Sequence, residues 1–228
     1  MKTIKIGSRG SEVLILQNKL GIRADGVFGK VTDAAVRSFQ KSHGLTPDGI
    51  VGDHTWESLG YPPLSRVIDE IIIHCSASKE GVPFSADRID AAHKVRRFSS
   101  YVGADGRKRF ISYHFLIHLD GTIEDCRPIH RIGCHASGHN ARSIGICYIG
   151  GLDARDTNGS MIKDTRTPAQ KASLIRLIKK LKSDYKTIKK VMGHRDTSPD
   201  LNGNGVIDPY EYIKGCPCFD AIPEYKNI

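Results

Sequence analysis

Residues 67–78, VIDEIIIHCSAS, decide the fold of the longer part of this chain. Their nearly continuous apolar run predicts a buried strand, and His74 falls at its carboxyl end. The segment ISYHFLIH at 111–118 alternates in polarity and predicts a second strand. SIGICYIGG at 143–151 and IKKVMGH at 188–194 predict a third and a fourth. The sequence therefore indicates a sheet whose strands are separated by long intervening segments.

Helix signals lie between these strands. Ser85 is placed to cap a helix whose apolar side carries Ala91, Val95 and Phe98. TPAQ at 167–170 has the form of a capping box, and it opens a helix with apolar positions at Leu174, Ile175, Ile178 and Leu181. Strands that alternate with helices predict an α/β domain with a central mixed β-sheet flanked by helices. In such a domain we expect the site at one edge of the sheet.

The N-terminal part contains an internal repeat. DGVFGKVT at 25–32 returns as DGIVGDHT at 48–55, and each copy is an Asp-Gly turn that leads through a second glycine into a helix start. Apolar residues at helical spacing precede each turn, at Val13, Leu16, Leu20, Ala35, Val36 and Phe39. Gly21 is placed to end the first helix. This pattern predicts a small all-α domain of three short helices.

A proline pair separates the two parts of the chain. Pro62 and Pro63 in the segment GYPPLSR stop any helix and stiffen the backbone. We therefore predict an N-terminal domain over residues 1–60, a linker over 61–67 and the α/β domain over 68–228. A chain of 228 residues is long enough for two such domains.

Three distant residues have the chemistry of a metal site. His74, His194 and Cys216 supply two imidazoles and one thiolate. This set is one ligand short of a closed tetrahedral zinc site, and an open fourth position distinguishes a hydrolytic zinc from a structural one. A single histidine at a strand end is more often an ordinary hydrogen-bonded residue. The prediction of a catalytic zinc therefore depends on the three residues together.

The segments around these residues resemble a known family. IIIHCSAS, YHFLIHLDGTI, GCHASGHNARSIGICYIGG, TPAQ and KGCPCFD occur in the order found in phage-lysozyme-type N-acetylmuramoyl-L-alanine amidases. This zinc amidase family also includes the peptidoglycan recognition proteins, and the resemblance runs from Ile68 to Asp220. The N-terminal pattern, from Ile4 to Gly60, resembles the peptidoglycan-binding module attached to many wall hydrolases.

The resemblance implies an activity and a set of site residues. The chain is expected to cleave the amide bond between N-acetylmuramic acid and the L-alanine of the stem peptide, with one catalytic zinc ion. Tyr113 matches a residue that orients or deprotonates the attacking water, and Lys214 matches one that holds the charge developing on the carbonyl oxygen. His135 and Asn140 match a loop of the substrate groove, so the resemblance assigns them to substrate binding.

A second metal is predicted from the segment DLNGNGVIDPYE at 200–211. Its spacing matches an EF-hand calcium loop, in which oxygen ligands alternate and a glycine permits the sharp turn. The segment before it, HRDTSP, does not have the pattern of a helix, and the alternative is an Asn- and Gly-rich surface turn held by its own hydrogen bonds. The expected calcium ligands are Asp200, Asn202, Asn204, the Val206 carbonyl, Asp208 and Glu211.

The chain is basic, with 34 Lys and Arg against 25 Asp and Glu and a formal net charge of +9. This excess favours an anionic partner such as the bacterial wall. Nucleic acid is disfavoured, because the basic residues are scattered and no RNA-binding aromatic signature is present. No segment is apolar enough for a signal-peptide core or a membrane span. We therefore expect a protein made in the cytoplasm with reduced cysteines, which acts on the wall after release. We also expect a monomer that does not bind a membrane.

Other interpretations fit parts of the pattern. A non-catalytic peptidoglycan recognition protein keeps the fold without the full ligand set, and the presence of Cys216 argues against it. A regulator that binds another protein, such as a polymerase, occurs in the wider family and is not tested by the sequence. A serine hydrolase is disfavoured, because no Gly-x-Ser-x-Gly segment is present. Cys218 is the alternative thiol ligand, but the family places the ligand directly before a proline, which selects Cys216.

Overall fold

The structure is a computed structural model that describes residues 2–61, 66–102 and 107–228. The predicted linker prolines, Pro62 and Pro63, lie outside the described residues. The chain forms two compact units. The first comprises Met1–Arg66, Tyr101–Arg109 and Pro128–Arg131, and the second comprises Val67–Ser100, Phe110–Arg127 and Ile132–Ile228. Because two short later segments group with the first unit, the linear domain boundaries given above stay a prediction.

The elements follow one another along both units. The helices are α1 (Ser11–Lys19), α2 (Lys30–Ser42), α3 (Asp53–Ser58), α4 (Ala86–Val95), α5 (Pro168–Asp184) and α6 (Ala221–Tyr225). The strands are β1 (Glu70–Cys75), β2 (Ser78–Lys79), β3 (Tyr101–Val102), β4 (Lys108–Arg109), β5 (Phe115–Ile117), β6 (Ile123–Asp125), β7 (Ser143–Tyr148), β8 (Gly151–Leu152) and β9 (Lys190–Gly193). No helix among the described residues has the length and apolar character needed to cross a bilayer.

The first unit confirms the prediction of three short helices. Val13 and Leu16 of α1 and Val36 of α2 are buried in one cluster with Trp56 of α3. Gly21 follows α1 with a φ of 68°, the left-handed conformation in which a glycine ends a helix. The helix faces read from the sequence therefore form the core of this unit.

A buried glutamine of the preceding helix holds each Asp-Gly turn of the first unit. The side-chain amide of Gln17 donates to Asp25 Oδ1, the Val27 carbonyl and Thr32 Oγ1. The amide of Gln40 makes the same three bonds in the second copy, to Asp48 Oδ1, the Ile50 carbonyl and Thr55 Oγ1. A buried amide needs such partners. The sequence repeat is thus also a repeat of hydrogen bonding.

The second unit is built on a five-stranded sheet in the order β6-β5-β7-β1-β9. Strand β1 pairs in parallel with β7 and β9, β5 pairs in parallel with β7, and β6 is antiparallel to β5. The predicted mixed sheet is confirmed. In the parallel register Ile72 and His74 pair with Gly145 and Cys147, so these four residues share one face.

Helix α5 begins at the predicted capping box. Thr167 Oγ1 accepts the amide of Gln170, and the Gln170 side chain accepts the amide of Thr167. The Gln170 side-chain amide also donates to the carbonyls of Ile117 and Ile149, which follow or end two central strands. The buried positions of the helix include Leu174, Leu177, Ile178 and Leu181, whereas Ile175, one of the four apolar positions read from the sequence, is 37% exposed. The helix start is therefore fixed to the carboxyl edge of the sheet.

Two local predictions were wrong. The second strand is only Phe115–Ile117 rather than 111–118, because the amides of Ile111 and Ser112 donate to side chains of α4, Asp90 and His93, instead of joining the ladder. Ser85 caps α4 as predicted, but the buried residues of α4 are Ile89 and His93. Of the predicted apolar positions, Ala91 and Val95 are exposed, whereas Phe98 lies beyond the end of the helix and is half-buried, with its ring centroid 4.8 Å from that of His93. Val95 is 83% exposed.

Candidate metal centre

Two histidines meet at the carboxyl ends of neighbouring parallel strands. His74 is the penultimate residue of β1, and His194 directly follows β9. Because β1 and β9 pair in register, both side chains arrive at the same edge of the sheet, and their ring centroids lie 4.6 Å apart. His74 is 1% exposed. Both histidines lie at strand ends, where the sequence places them, and the sheet makes those two strands neighbours.

The third residue, Cys216, is held in a turn by bonds from three directions. The backbone amide of Cys75 donates to Cys216 Sγ at 3.1 Å. The amide of Arg195 donates to the Cys216 carbonyl at 2.7 Å, and the buried Tyr148 hydroxyl donates to the Pro217 carbonyl at 2.6 Å. These bonds fix the position of the Cys216 sulfur, and a cysteine sulfur is one of the ligands that zinc takes in proteins.

The ligand atoms of His74, His194 and Cys216 all lie within 4.8 Å of one another. Within the described residues this is the one group of three or more His, Cys, Asp or Glu side chains placed to hold a metal ion. Burial lowers the pKa of His74 well below its ordinary value, and burial together with the Lys214 charge lowers the pKa of His194. Both imidazoles are therefore neutral at neutral pH, as metal ligands must be. Two nitrogens and one sulfur fit zinc.

The alternative thiol belongs to a different contact. Cys218 Sγ lies 3.7 Å from Cys75 Sγ and also contacts the Gly151 carbonyl at 3.3 Å. It is not part of the group formed by the two histidines. The geometry therefore favours Cys216, as the sequence predicted.

Tyr113 and Lys214 lie beside the two histidines. The Tyr113 ring centroid is 5.0 Å from that of His74. Burial raises the pKa of Tyr113 well above its ordinary value, and the nearby thiols add to the effect. Lys214 is exposed, and its charge is one cause of the lowered pKa of His194. The phenol is thus a neutral donor, and the ammonium is a cation at the rim of the site.

His135 and Asn140 occupy positions that the groove assignment does not describe. His135 is buried, and its Nδ1 atom lies 3.0 Å from His74 Nε2. A β-carbon on Gly145 would lie 2.6 Å from the His135 ring, so this ring position requires glycine in β7. Asn140 Oδ1 accepts the amides of His135 and Ala136 and so shapes the loop. Both residues support the candidate ligand His74, and their contact with substrate stays a prediction.

Two further contributors were missed by the sequence. Tyr148 holds the Cys216 turn, and His93 lies with its ring centroid 5.3 Å from that of Tyr113. The available signal for Tyr148 was a tyrosine in a strand of Ile, Gly and Cys, since a buried hydroxyl needs a partner. For His93 no signal was present, because its partners, the Ser112 amide and the Tyr113 ring, come from a segment read as a regular strand.

The 200–211 segment is a turn held by its own hydrogen bonds. Asp200 accepts the amides of Gly203 and Gly205. The side-chain amides of Asn202 and Asn204 both donate to Asp208 Oδ2. Glu211 accepts the amides of Leu201, Asn202 and Asp208. A calcium ion would need oxygen ligands at Asn202, Asn204 and Asp208, but here the side-chain nitrogens of the two asparagines are directed at Asp208. The geometry thus gives the calcium prediction no support.

A sequence profile described as N-acetylmuramoyl-L-alanine amidase matches residues 64–211, and one described as putative peptidoglycan binding domain matches residues 9–59. The chain belongs to the N-acetylmuramoyl-L-alanine amidase family. The amidase match contains His74, Tyr113 and His194 and ends before Lys214 and Cys216. The family and the N-terminal module predicted from the sequence are confirmed.

This amidase has relatives among phage and bacterial proteins. It is 32% identical over 151 residues to the endolysin of Klebsiella phage KP32, covering 66% of this chain and 81% of the relative. It is 44% identical over 103 residues to an uncharacterised protein of Haemophilus influenzae, covering 45% of this chain and 84% of that protein. A solved N-acetylmuramoyl-L-alanine amidase of Clostridium intestinale aligns with a TM-score of 0.49 at 28% identity, covering 71% of this chain and 83% of that one.

Proposed function

We propose that this amidase is a zinc-dependent, endolysin-type peptidoglycan hydrolase that cleaves between N-acetylmuramic acid and the first L-alanine of the stem peptide. The observation that carries the proposal is the group of His74, His194 and Cys216, with its ligand atoms within 4.8 Å of one another. Three protein ligands leave one position for water or substrate. A zinc ion there would polarise the scissile carbonyl and lower the pKa of water toward neutrality.

The chain's own groups supply the remaining chemistry. The Tyr113 phenol keeps its proton, so it can donate a hydrogen bond that orients the attacking water. The Lys214 ammonium, at the exposed rim, stabilises the negative charge that develops on the carbonyl oxygen. His135 holds the ring of His74 through the 3.0 Å contact. We further assign the loop that carries His135 and Asn140 to the substrate groove.

The wall is the proposed partner as well as the substrate. The module that matches residues 9–59 tethers the enzyme, and the net charge of +9 adds attraction to an anionic wall. By likeness to the phage endolysin, we propose that the protein reaches the wall after the membrane has been permeabilised. We propose that it acts as a monomer and without nucleic acid.

The bond that is cut can be identified on purified sacculi. Incubation with the zinc-loaded protein should release new L-alanine amino termini without new reducing sugar ends. New reducing ends would show a glycosidase instead. Binding to sacculi without release of either product would favour the alternative, a non-catalytic peptidoglycan recognition protein.

A further inference from the structure

We propose that Cys75 and Cys218 form a disulfide-forming site, which closes by exchange with a small-molecule or protein disulfide. Their Sγ atoms lie 3.7 Å apart, and neither thiol belongs to the candidate metal group. A disulfide requires an S–S distance of about 2.05 Å. The two sulfurs therefore have to move closer by about 1.7 Å, which rotation of the two side chains can provide.

The backbone of Cys218 fixes its thiol in this direction. Its φ is 71°, a left-handed conformation that glycine adopts without strain and a residue with a β-carbon does not. The Cys218 amide donates to the Gly215 carbonyl at 2.9 Å, so this conformation is part of the turn that carries Cys216. A cysteine at a position suited to glycine, with its thiol toward a second thiol, is accounted for by a function of the pair.

Gly151 provides the space in which the two thiols meet. A β-carbon at this position would lie 2.5 Å from Cys75 Sγ and 3.5 Å from Cys218 Sγ. The φ of Gly151 is 108°, so the strand backbone passes close to the sulfurs at a residue where only glycine is unstrained. The pair thus lies in a defined space rather than at a chance surface contact.

The exchange begins at Cys218, which is half-buried, whereas Cys75 is 7% exposed. After losing its proton, the Cys218 sulfur attacks one sulfur of a disulfide RSSR, forms a mixed disulfide and releases one RS⁻. The Cys75 thiolate then attacks the Cys218 sulfur and releases the second RS⁻. The two protons lost by the cysteines pass to the released thiolates. One dithiol and one RSSR therefore give one protein disulfide and two RSH.

The link would join the end of β1, next to His74, to the turn that carries Cys216. It closes a loop of most of the second unit, and such a loop restrains the unfolded chain strongly. Reducing conditions keep the dithiol, while the oxidising space outside the cytoplasmic membrane favours the disulfide. The protein would thus gain stability in the compartment where the wall lies. Formation of the disulfide requires neither zinc nor amidase activity, whereas its benefit at the wall rests on the proposed function.

The test uses the full-length, zinc-loaded protein equilibrated with either reduced or oxidised glutathione, followed by alkylation, peptide mapping and thermal melting. We expect a Cys75–Cys218 cross-linked peptide after oxidation and a melting temperature several degrees above that of the reduced protein, roughly the effect of a long-loop disulfide. Cys218→Gly, which suits the left-handed backbone, should lose both effects. Cys134→Ser, which removes a half-buried thiol outside the pair, should keep both.

Two results would overturn the proposal. One is alkylation of both Cys75 and Cys218 after oxidation, or a cross-link from either to Cys216. The other is an oxidation-dependent rise in melting temperature that is as large in Cys218→Gly as in the parent. The peptide map of the parent protein decides the question even where a variant folds poorly.

Discussion

The phenol ring of Tyr113 lies beside the imidazole of His74, with 5.0 Å between the ring centroids. Burial and nearby thiols raise the pKa of the phenol, so it keeps its proton at neutral pH. The hydroxyl is therefore a hydrogen-bond donor next to a candidate metal ligand. Lys214 is exposed at the rim of the site, and its positive charge helps to lower the pKa of His194. Tyr113 and Lys214 can therefore be substituted without changing any of the three candidate metal ligands.

We expect Tyr113→Phe and Lys214→Ala to retain the metal and to lose turnover, each by about a hundredfold if it supports the water or the oxyanion. Lys189→Ala, an exposed lysine away from the histidines, is the control for loss of one positive charge. The measurement is steady-state cleavage of a soluble muropeptide, paired with zinc content. Near-parental turnover in either variant would remove that residue from the mechanism.

Removal of residues 2–60 should separate binding from cleavage. We expect the shortened protein to cleave a small soluble muropeptide at the parental rate, because the candidate site lies in the second unit. Its co-sedimentation with insoluble sacculi should weaken, since the tether that raises its local concentration is gone. Equal sedimentation of both proteins would contradict a targeting role. Repeating the assay in high salt isolates the module, because screening removes the nonspecific attraction of the +9 charge first.

Calcium binding by the 200–211 loop would require the side-chain amides of Asn202 and Asn204 to turn away from Asp208. If the loop binds the ion, millimolar calcium should raise the melting temperature of the zinc-loaded protein, because binding at a hundredfold excess over Kd adds roughly 2.7 kcal/mol to the free energy of unfolding. Asp200→Asn keeps one of the two oxygens that accept loop amides and removes the charge, so it should abolish the rise. An unchanged parent melt would identify the segment as a plain turn.

Stability should fall as the pH drops from about 6.5 to about 4 because of His93. Burial lowers the pKa of His93 to about 4, and its Nδ1 atom accepts the Ser112 amide, which requires an unprotonated ring. In this window the unfolded chain takes up a proton that the folded one does not, so the contribution is complete above 6.5 and lost toward 4. The melting temperature should change less with pH across this range in His93→Gln than in the parent protein. An equally steep loss in that variant would assign the effect to other groups.

Much of both units could be predicted because the signals are local. The apolar run before His74, the capping box at Thr167 and Gln170, and the glycine turns each specify backbone geometry through nearby residues. The three candidate ligands could be predicted only as a set, because no local signal in the sequence shows that the Cys216 sulfur lies within 4.8 Å of the histidine nitrogens. That arrangement depends on the tertiary fold, and the ligand set was predicted because the segments around the three residues resemble the family.

The errors arose where side chains from another element replaced regular pairing. Asp90 and His93 of α4 take the amides of Ile111 and Ser112, so an alternating segment is not a strand there. In the same helix Ile89 and His93 are buried, and Val95 is exposed. His135 likewise lies under Gly145 and against His74, a contact between residues far apart in the chain. Periodicity within one element cannot show such contacts.

In the proposed mechanism, amide cleavage depends on a zinc ion held by His74, His194 and Cys216. Cys216→Ser and Cys218→Ser form a matched pair, because they remove thiols two residues apart in one turn, of which only the first lies with the histidines. The most direct measurement is zinc per chain in both variants, with L-alanine amino termini released from sacculi by the same samples. The account predicts about one zinc and near-parental release for Cys218→Ser, and neither for Cys216→Ser. Full zinc and full release in Cys216→Ser would contradict it.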